Sequence, residues 1–320
     1  MNKRIKKGLV SGLKVLVSGA ILYVLLSKVD LNRVFSLLRN MDMLYFSLGC
    51  LLNVVTVGFI SRRWQLFISD DIPLSKLFSL NMIGLFFNNI MPGTTGGDAV
   101  KVYYVYKKTG SGLIAAGSVF MDRYIGLANI IFIGLAAMMF GLNRLAGTGV
   151  EFFTPAVTLA FVVGSFIVFG FRLGGRFSSV AKFYEYFHLY MRDTKAIALS
   201  FMLTSAAQLI AIGCVYLVAV GLGVKIGVLD LLIFVPIIVL IAAIPISISG
   251  FGLREGAFVL LLKRAGIAEE MAIAISFGWY LTTLLASLPG FIFYLYNKTE
   301  VGGKADGEKT GDDDRVIESV

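Results

Sequence analysis

The sequence predicts an all-α protein that crosses a membrane several times and carries two re-entrant helical hairpins in an inverted repeat. Three observations lead to this fold class: an apolar composition, about eight hydrophobic segments, and two segments that break off early. Hydrophobic residues make up 57% of the 320 residues and charged residues only 15%, and the mean hydropathy is +0.83. A soluble domain of this composition would aggregate, so we expect a polytopic membrane protein.

The first hydrophobic segment follows a basic N-terminus. Four basic residues within positions 3–7 precede an apolar run at 9–27. This run lacks a small-x-small cleavage site at its far end, so we interpret it as a retained signal anchor. Further apolar runs fall at about 44–61, 77–91, 113–141, 153–171, 197–220, 229–244 and 270–296. A complete span needs about 20 residues, and the runs at 77–91 and 229–244 are too short or borderline.

The two short runs end at segments that are rich in proline, glycine and hydroxyl residues. The first break is Pro92–Asp98 and the second is Pro245–Glu255, and amphipathic helices are predicted to follow at 96–108 and 252–264. Backbone that leaves a helix at bilayer depth must be buried in protein or line a wet cavity. Paired broken segments therefore indicate a transporter's substrate site. The predicted hinge residues are Pro92, Gly93, Gly96, Gly97, Pro245, Gly250 and Gly252.

The distribution of positive charge predicts the orientation of the chain. The formal net charge is +9, but the basic residues cluster between apolar runs, which favours anionic lipid head groups over nucleic acid as partners. They concentrate on the side that holds the N-terminus, which the positive-inside rule assigns to the cytoplasm. The first hairpin then enters from the cytoplasm and the second from outside, as in an inverted repeat. Alternatively, both short helices are ordinary packing helices with glycine kinks.

The remaining segments indicate no soluble domain. Aromatic and basic residues interleave at 172–195, which predicts an amphipathic interfacial helix. The membrane domain is expected to cover 1–297, and the polar stretch at 298–320 is expected to form a disordered cytoplasmic tail. Cys50 and Cys214 both lie in apolar runs, so no disulfide framework is predicted.

Ionisable residues inside the apolar runs are the candidates for chemistry, because charge at membrane depth is unfavourable. The amides at Gly96 and Gly97 begin a helix whose N-terminus suits a phosphate or carboxylate, although Asp98 also fits the role of a helix cap. Arg254 and Glu255 occupy the matching place in the second hairpin, with a mutual ion pair as the alternative. The predicted substrate-binding residues are Asn88, Asn89, Asp98, Lys101, Asp122, Arg123, Ser247, Ser249, Arg254 and Glu255.

Two of these charges lie deep in the run at 113–141. Because Asp122 and Arg123 are about ten residues into this run, they cannot both reach the interface, and one is expected to pair with Asp98 or Glu255. Asn88 and Asn89 are weaker candidates, because interhelical hydrogen bonding explains them adequately. No spacing in the sequence indicates a metal site or a cofactor site.

Three motifs in this order resemble a known family. They are Phe86–Asp98, Asp122–Gly126 and Pro245–Gly256, and with the surrounding chain, roughly 8–297, they resemble the flippase-like transmembrane domain of lysylphosphatidylglycerol synthases. The resemblance implies a bacterial or archaeal inner-membrane protein of about eight spans that moves a lipid between leaflets. Those synthases carry a soluble aminoacyl-transferase domain after the membrane part. No such domain precedes Val320 here, so aminoacylation is not expected, and the substrate classes to consider are phospholipids, isoprenoid-phosphate carriers and hopanoids.

We therefore expect a lipid translocase, not an enzyme, in the cytoplasmic membrane, with both termini in the cytoplasm. Arg123, Arg254 and the two helix N-termini would hold the lipid phosphate, while Asp98 and Glu255 would balance that charge or bind a cationic substituent. The alternatives are an intramembrane lipid phosphatase or glycosyltransferase and a non-catalytic scaffold. His188 is the only histidine and falls in a predicted interfacial loop, which disfavours His-based phosphatase chemistry. No nucleotide-binding motif is present, and homo-oligomerisation is left open.

Overall fold

The structure, a computed structural model, describes residues 16, 18–27, 29–68, 72–90, 96–172, 178–244, 246–247 and 250–302. All regular secondary structure in these ranges is helical, which confirms the all-α prediction. The helices are α1 (18–26), α2 (Leu31–Arg39), α3 (Met43–Gln65), α4 (Leu74–Ile90), α5 (Gly96–Thr109), α6 (Gly112–Leu145), α7 (Val150–Ser165), α8 (Ser178–Arg192), α9 (Thr194–Gly221), α10 (Val228–Ala242), α11 (Leu253–Leu262), α12 (Glu269–Ser287) and α13 (Pro289–Gly302). A π-helical turn, Phe166–Gly170, extends α7.

Among the described residues, five stretches are long and apolar enough to cross a membrane. They are α3, α6, α7 with its π-helical turn, α9, and α12 together with α13 up to Asn297. The chain is therefore a polytopic α-helical membrane protein, as predicted. The predicted apolar runs from 44–61 to 229–244 match the helices to within a few residues. Residues 9–15 and 17 of the first predicted run lie outside the described residues, and α1 falls within the rest of that run.

The predicted run at 270–296 is confirmed as one candidate span, Glu269–Asn297, but its helix is interrupted at Leu288. Pro289 lacks a backbone N–H and is the first residue of α13, a position where its fixed φ angle is favourable. The next residue, Gly290, packs directly on α4, since a Cβ atom there would lie 2.7 Å from the carbonyl carbon of Met82. The break thus lets α13 approach the first hairpin closely.

The helices form two units of the same design, in which a long helix is followed by two short helices and then another long helix. The first unit is α3–α6 and the second is α9–α12. Within each unit, consecutive helices pack on each other, and each final long helix contacts the first two helices of the other unit. Every one of these pairings in the first unit has its counterpart in the second.

The two first helices, α3 and α9, pack side by side and run antiparallel. At one end, the Asp42 N–H that precedes α3 donates to the carbonyl of Gly221 at 2.9 Å. At the other end, Arg63 Nη1 donates to Thr204 Oγ1 at 3.1 Å. The first helices of the two units therefore point in opposite directions, and the inverted repeat of re-entrant hairpins stays a prediction.

Each unit contains a hairpin of two short helices: α4 with α5, and α10 with α11. They have 17, 14, 15 and 10 residues, so the longest extends about 26 Å and does not reach across a hydrocarbon core of about 30 Å. The arms of the first hairpin touch at Gly84 and Gly97, where a Cβ atom on Gly97 would lie 2.7 Å from the carbonyl carbon of Gly84. The predicted short helices are confirmed; their entry from opposite membrane faces stays a prediction.

Two peripheral helices differ in detail from the predictions. The amphipathic helix predicted at 172–195 is present as α8, but three of its aromatic side chains, Tyr184, Tyr186 and Phe187, are buried, and the Tyr186 hydroxyl donates to the carbonyl of Phe67. At the C-terminus, α13 continues to Gly302, past the predicted start of the tail at 298, and residues 303–320 lie outside the described part.

The inverted hairpins can be tested by cysteine labelling in a Cys50→Ser, Cys214→Ala background. Lys107 lies in the last turn of α5 and Lys263 follows α11, and both side chains are exposed. We expect Lys107→Cys and Lys263→Cys to react with a membrane-impermeant maleimide from opposite faces of sealed vesicles. Arg192→Cys, at the exposed end of α8, is the control and should react from the same face as Lys107→Cys. Labelling of all three from one face would contradict the arrangement.

Candidate functional site

The start of α5 carries an exposed ion pair with α6. Asp98 is the third residue of α5, and Arg123 donates to both of its oxygens, from Nε at 2.9 Å and from Nη2 at 2.8 Å. The prediction that one deep charge of α6 pairs with Asp98 is therefore confirmed. The Arg123 side chain is 51% exposed and that of Asp98 is 17% exposed, so this bidentate pair is open to a ligand.

Asp122, the neighbour of Arg123, is turned into the helix bundle. Its Oδ1 accepts hydrogen bonds from Arg63 Nε and Nη2, both at 2.7 Å, and the two side chains are 8% and 5% exposed. Arg63 follows the predicted apolar run at 44–61, but α3 continues to Gln65 and directs Arg63 inward. Because a buried carboxylate requires a cationic partner, the depth of Asp122 in its apolar run could have indicated that a basic residue such as Arg63 lies beside it. A substrate-binding role for Asp122 stays a prediction.

Lys101 is the third cation of this region and is almost fully buried. It follows Asp98 by three residues, on the same face of α5, and is 6% exposed. Its Nζ lies 5.0 Å from the ring centroid of Trp64, and its alkyl chain runs along α4 at Gly84, where a Cβ atom would lie 2.8 Å from Lys101 Cε. It interacts electrostatically with both carboxylates and both arginines described above. We call this group the Asp98 cluster: Arg63, Asp98, Lys101, Asp122 and Arg123.

The two asparagines at the end of α4 link the break to its surroundings. Asn88 Oδ1 accepts a hydrogen bond from the Gly97 N–H at 2.8 Å, between the arms of the first hairpin. The carbonyl of Asn89 accepts one from the Tyr280 hydroxyl of α12 at 3.4 Å. The buried Nδ2 of Asn89 has no hydrogen-bond partner in the described part of the chain. Asn88 is thus a structural partner of the helix start, whereas the Asn89 amide is free for a ligand.

The start of α11 carries a second, fully buried ion pair. Glu255 is the third residue of α11 and is 0% exposed. Its Oε1 accepts from Arg254 Nη2 at 2.6 Å, Arg254 Nε at 3.0 Å and Ser276 Oγ at 3.2 Å, and its Oε2 accepts from the Gly252 N–H at 2.7 Å. The ion pair considered as an alternative in the sequence analysis is therefore present. We call Arg254, Glu255 and Ser276 the Glu255 cluster.

Tyr280 connects the Glu255 cluster to the first hairpin. The Arg254 guanidinium lies 5.0 Å from the ring centroid of Tyr280 and 5.3 Å from that of Phe251, while the Tyr280 hydroxyl reaches Asn89. Tyr280 and Ser276 were not predicted as site residues, because both lie in the apolar run at 270–296, whose composition is typical of a membrane span. Their spacing of four residues, which places both on one helix face, is a signal that could have found them.

The structure describes only part of the predicted hinge set. Gly250 and Gly252 have φ angles of 78° and 86°, a region that favours glycine. Ser247 is 6% exposed, and its Oγ has no hydrogen-bond partner among the described residues. Pro92, Gly93, Pro245 and Ser249 lie outside the described residues. In the described ranges, no group of three or more His, Cys, Asp or Glu side chains could hold a metal ion.

The two arginine–aspartate pairs of the Asp98 cluster should differ sharply in their effect on stability. Asp122→Asn leaves the Arg63 charge buried without a carboxylate, and breaking a buried pair in this way costs about 3–5 kcal/mol. Arg123→Ala removes a half-exposed partner and should cost about 1 kcal/mol or less. We expect thermal unfolding of the detergent-purified protein to report this difference in melting temperature.

A double variant separates charge pairing from side-chain packing in the same experiment. Arg63→Met with Asp122→Leu removes both buried charges and should recover most of the stability lost by Asp122→Asn. Equal destabilisation by Asp122→Asn and Arg123→Ala would show that the assignment of the buried pair is wrong.

Comparison with known proteins assigns the chain to a family. The family described as the lysylphosphatidylglycerol synthase TM region matches residues 12–290. A UPF0104 membrane protein of Methanothermobacter thermautotrophicus is 22% identical over 297 residues, covering 79% of this chain and 87% of the relative. UPF0104 membrane proteins of Pyrococcus horikoshii and Methanocaldococcus jannaschii are each 25% identical, over 41% and 51% of this chain and 41% and 42% of their own lengths. This polytopic membrane protein therefore belongs to the lysylphosphatidylglycerol synthase transmembrane-region family.

Proposed function

We propose that this protein moves a phosphate-containing lipid between the leaflets of the cytoplasmic membrane of a bacterium or archaeon without changing the lipid chemically. The head group binds between the two hairpins while the acyl chains stay in the bilayer. Both termini lie in the cytoplasm. Membership of a family named for a lipid synthase supports a role with lipids.

One observation carries the proposal: two helices that begin inside the helix bundle each present an arginine beside their N-terminus, and a single residue joins them. Arg123 pairs with Asp98 at the start of α5, and Arg254 pairs with Glu255 at the start of α11. Tyr280 contacts Arg254 with its ring and the end of α4 with its hydroxyl. Helix N-termini and arginines both favour phosphate, so the two hairpins offer one continuous anion-binding region.

Both arginines keep hydrogen-bond donors for a ligand. A guanidinium has five N–H donors, and Arg123 and Arg254 use Nε and Nη2 on their carboxylates. Within the described residues, Nη1 of neither arginine has a hydrogen-bond acceptor. A phosphate can therefore bind to Nη1 without displacing Asp98 or Glu255.

This arrangement addresses the physical barrier to lipid movement. A phosphate that enters hydrocarbon loses its hydrogen bonds to water, which makes spontaneous exchange between leaflets slow. Arginine side chains and free amides such as that of Asn89 replace those hydrogen bonds inside the bundle. The protein thus lowers the barrier by substituting for water, and this role requires no bond to be made or broken.

A liposome assay tests the proposal directly. The purified protein is reconstituted with fluorescent phosphatidylglycerol, and dithionite quenching measures how much of the label reaches the outer leaflet with time. Mass spectrometry of the extracted lipid measures its chemical identity. Faster leaflet exchange with unchanged lipid supports the proposal; chemical change favours a lipid-modifying enzyme, and no effect of either kind favours a scaffold.

We expect Arg123→Ala and Asp98→Asn each to slow leaflet exchange by about tenfold or more, because each disrupts a charge-assisted contact of the site. The melting temperature should stay close to that of the unmodified protein, because this pair is exposed. Lys107→Ala, at the exposed end of the same helix, is the control and should keep full exchange.

The Asp98→Asn, Arg123→Ala double variant decides between binding and structure. If Arg123 holds the phosphate, exchange stays slow although both charges are gone and stability is retained. Recovery of exchange in the double variant would assign the pair a purely structural role and contradict the binding assignment.

A further inference from the structure

The carboxylates of both clusters are already occupied by partners from the protein. Arg123 holds Asp98 through two hydrogen bonds, and Arg63 holds Asp122. Glu255 accepts hydrogen bonds at both of its oxygens. The sequence of the two breaks, from 91 to 95 and from 245 to 252, contains no acidic residue that could add another. The described site therefore offers no free carboxylate to a cationic head group.

One cation of the Asp98 cluster has no carboxylate of its own. In the described part of the chain, Lys101 Nζ makes neither a hydrogen bond nor an ion pair, and its contact is the ring of Trp64 at 5.0 Å. A buried ammonium without such a partner is unfavourable, because desolvation is not offset by a hydrogen-bonded anion. The position of Lys101 nevertheless leaves little freedom, since its alkyl chain is packed against Gly84.

The charges of the Asp98 cluster do not balance. It contains three cations, Arg63, Lys101 and Arg123, and two carboxylates, Asp98 and Asp122. The excess is one positive charge. A phosphodiester carries one negative charge and would neutralise the cluster, whereas a lipid with an additional aminoacyl ammonium would bring a positive charge to a region that has no carboxylate for it.

We infer that the Asp98 cluster selects lipids whose head group is an anionic phosphate ester without an ammonium, and that Lys101 binds this phosphate. The inference rests on the proposed function and names its substrate class. Under this inference the chain does not carry aminoacylated lipids. Lys101 and Arg123 both bind the phosphate, while Asp98 orients Arg123 and is not available to a cationic head group.

Binding to the purified protein in neutral detergent tests this selectivity without any transport step. The probes are phosphatidylglycerol, lysylphosphatidylglycerol, phosphatidylcholine and inorganic phosphate, and the readout is the dissociation constant from ligand-induced shifts in melting temperature. We expect phosphatidylglycerol to bind about tenfold or more tightly than the two lipids that carry a cationic group. Inorganic phosphate should bind weakly, because it lacks the acyl chains.

Lys101→Met supplies the matched variant. It keeps the packing against Gly84 and removes the ammonium, so the protein should remain folded while phosphatidylglycerol binds about tenfold or more weakly. Gly84→Ala is the second variant; it displaces the Lys101 chain without removing its charge and should weaken the same lipid selectively. Lys107→Met, exposed on the same helix, should bind all probes like the unmodified protein.

Three results would overturn the inference: equal or tighter binding of lysylphosphatidylglycerol, unchanged lipid selectivity in Lys101→Met, or inorganic phosphate binding as tightly as the lipid. The outcome is independent of translocation. Selective binding without leaflet exchange in liposomes would support the ligand class and reject the translocase. Exchange of aminoacylated and anionic lipids at equal rates would support the translocase and reject the ligand class.

Discussion

Backbone amides at the start of a helix have no partner within that helix, and lipid cannot supply one. Two helices of this protein begin inside the bundle, and each satisfies an early amide from its own hairpin. In the first hairpin the Gly97 N–H donates to Asn88, and in the second the Gly252 N–H donates to Glu255. These hydrogen bonds fix the starts of α5 and α11, the helices that carry Asp98, Lys101, Arg254 and Glu255.

Both hairpins provide a hydrogen-bond acceptor for an amide at the start of their second helix, but the acceptors differ, and this changes the environment of the neighbouring charged residues. Asp98 and Glu255 are both the third residue of a short helix. In the first hairpin Asn88 accepts the hydrogen bond from the Gly97 amide. Asp98 therefore makes no such bond and instead pairs with Arg123 at the exposed side of the site. In the second hairpin the carboxylate of Glu255 accepts the hydrogen bond from the Gly252 amide, and Glu255 is fully buried. The repeat has therefore diverged into one half with an accessible charge pair and one half with a fixed pair.

Local sequence signals predicted the architecture because they act over short distances. The hydrophobic runs predicted the long helices, because a membrane span requires about 20 apolar residues. The clusters of proline and glycine predicted the breaks, because these residues interrupt a helix locally. The paired breaks also predicted the short helices that follow in each half of the chain. The division at Pro289 could have been predicted in the same way, because proline commonly begins a helix.

The partners of the site residues could not be predicted from local signals. Arg63 follows the end of an apolar run and resembles an interfacial charge, yet α3 continues by several residues and places it beside Asp122. Tyr280 lies in an apolar span, and only the packing of α12 on α4 brings it to Asn89. That Lys101 has no hydrogen-bonded carboxylate among the described residues became apparent only after each carboxylate near it had been matched with an arginine.

The close contact between α13 and α4 limits how the bundle can change shape. Gly290 packs on the backbone at Met82, and aromatic rings of the two helices meet in three pairs: Phe78 with Phe293, Phe86 with Phe291, and Phe87 with Tyr294. These contacts fix α13 on α4, the first arm of the first hairpin. The second hairpin packs instead on α1, where a Cβ atom on Gly252 would lie 3.0 Å from Ile21. Each hairpin is thus covered by a different terminal helix, and the hydrogen bond from Tyr280 to Asn89 joins α12 to the first hairpin between them.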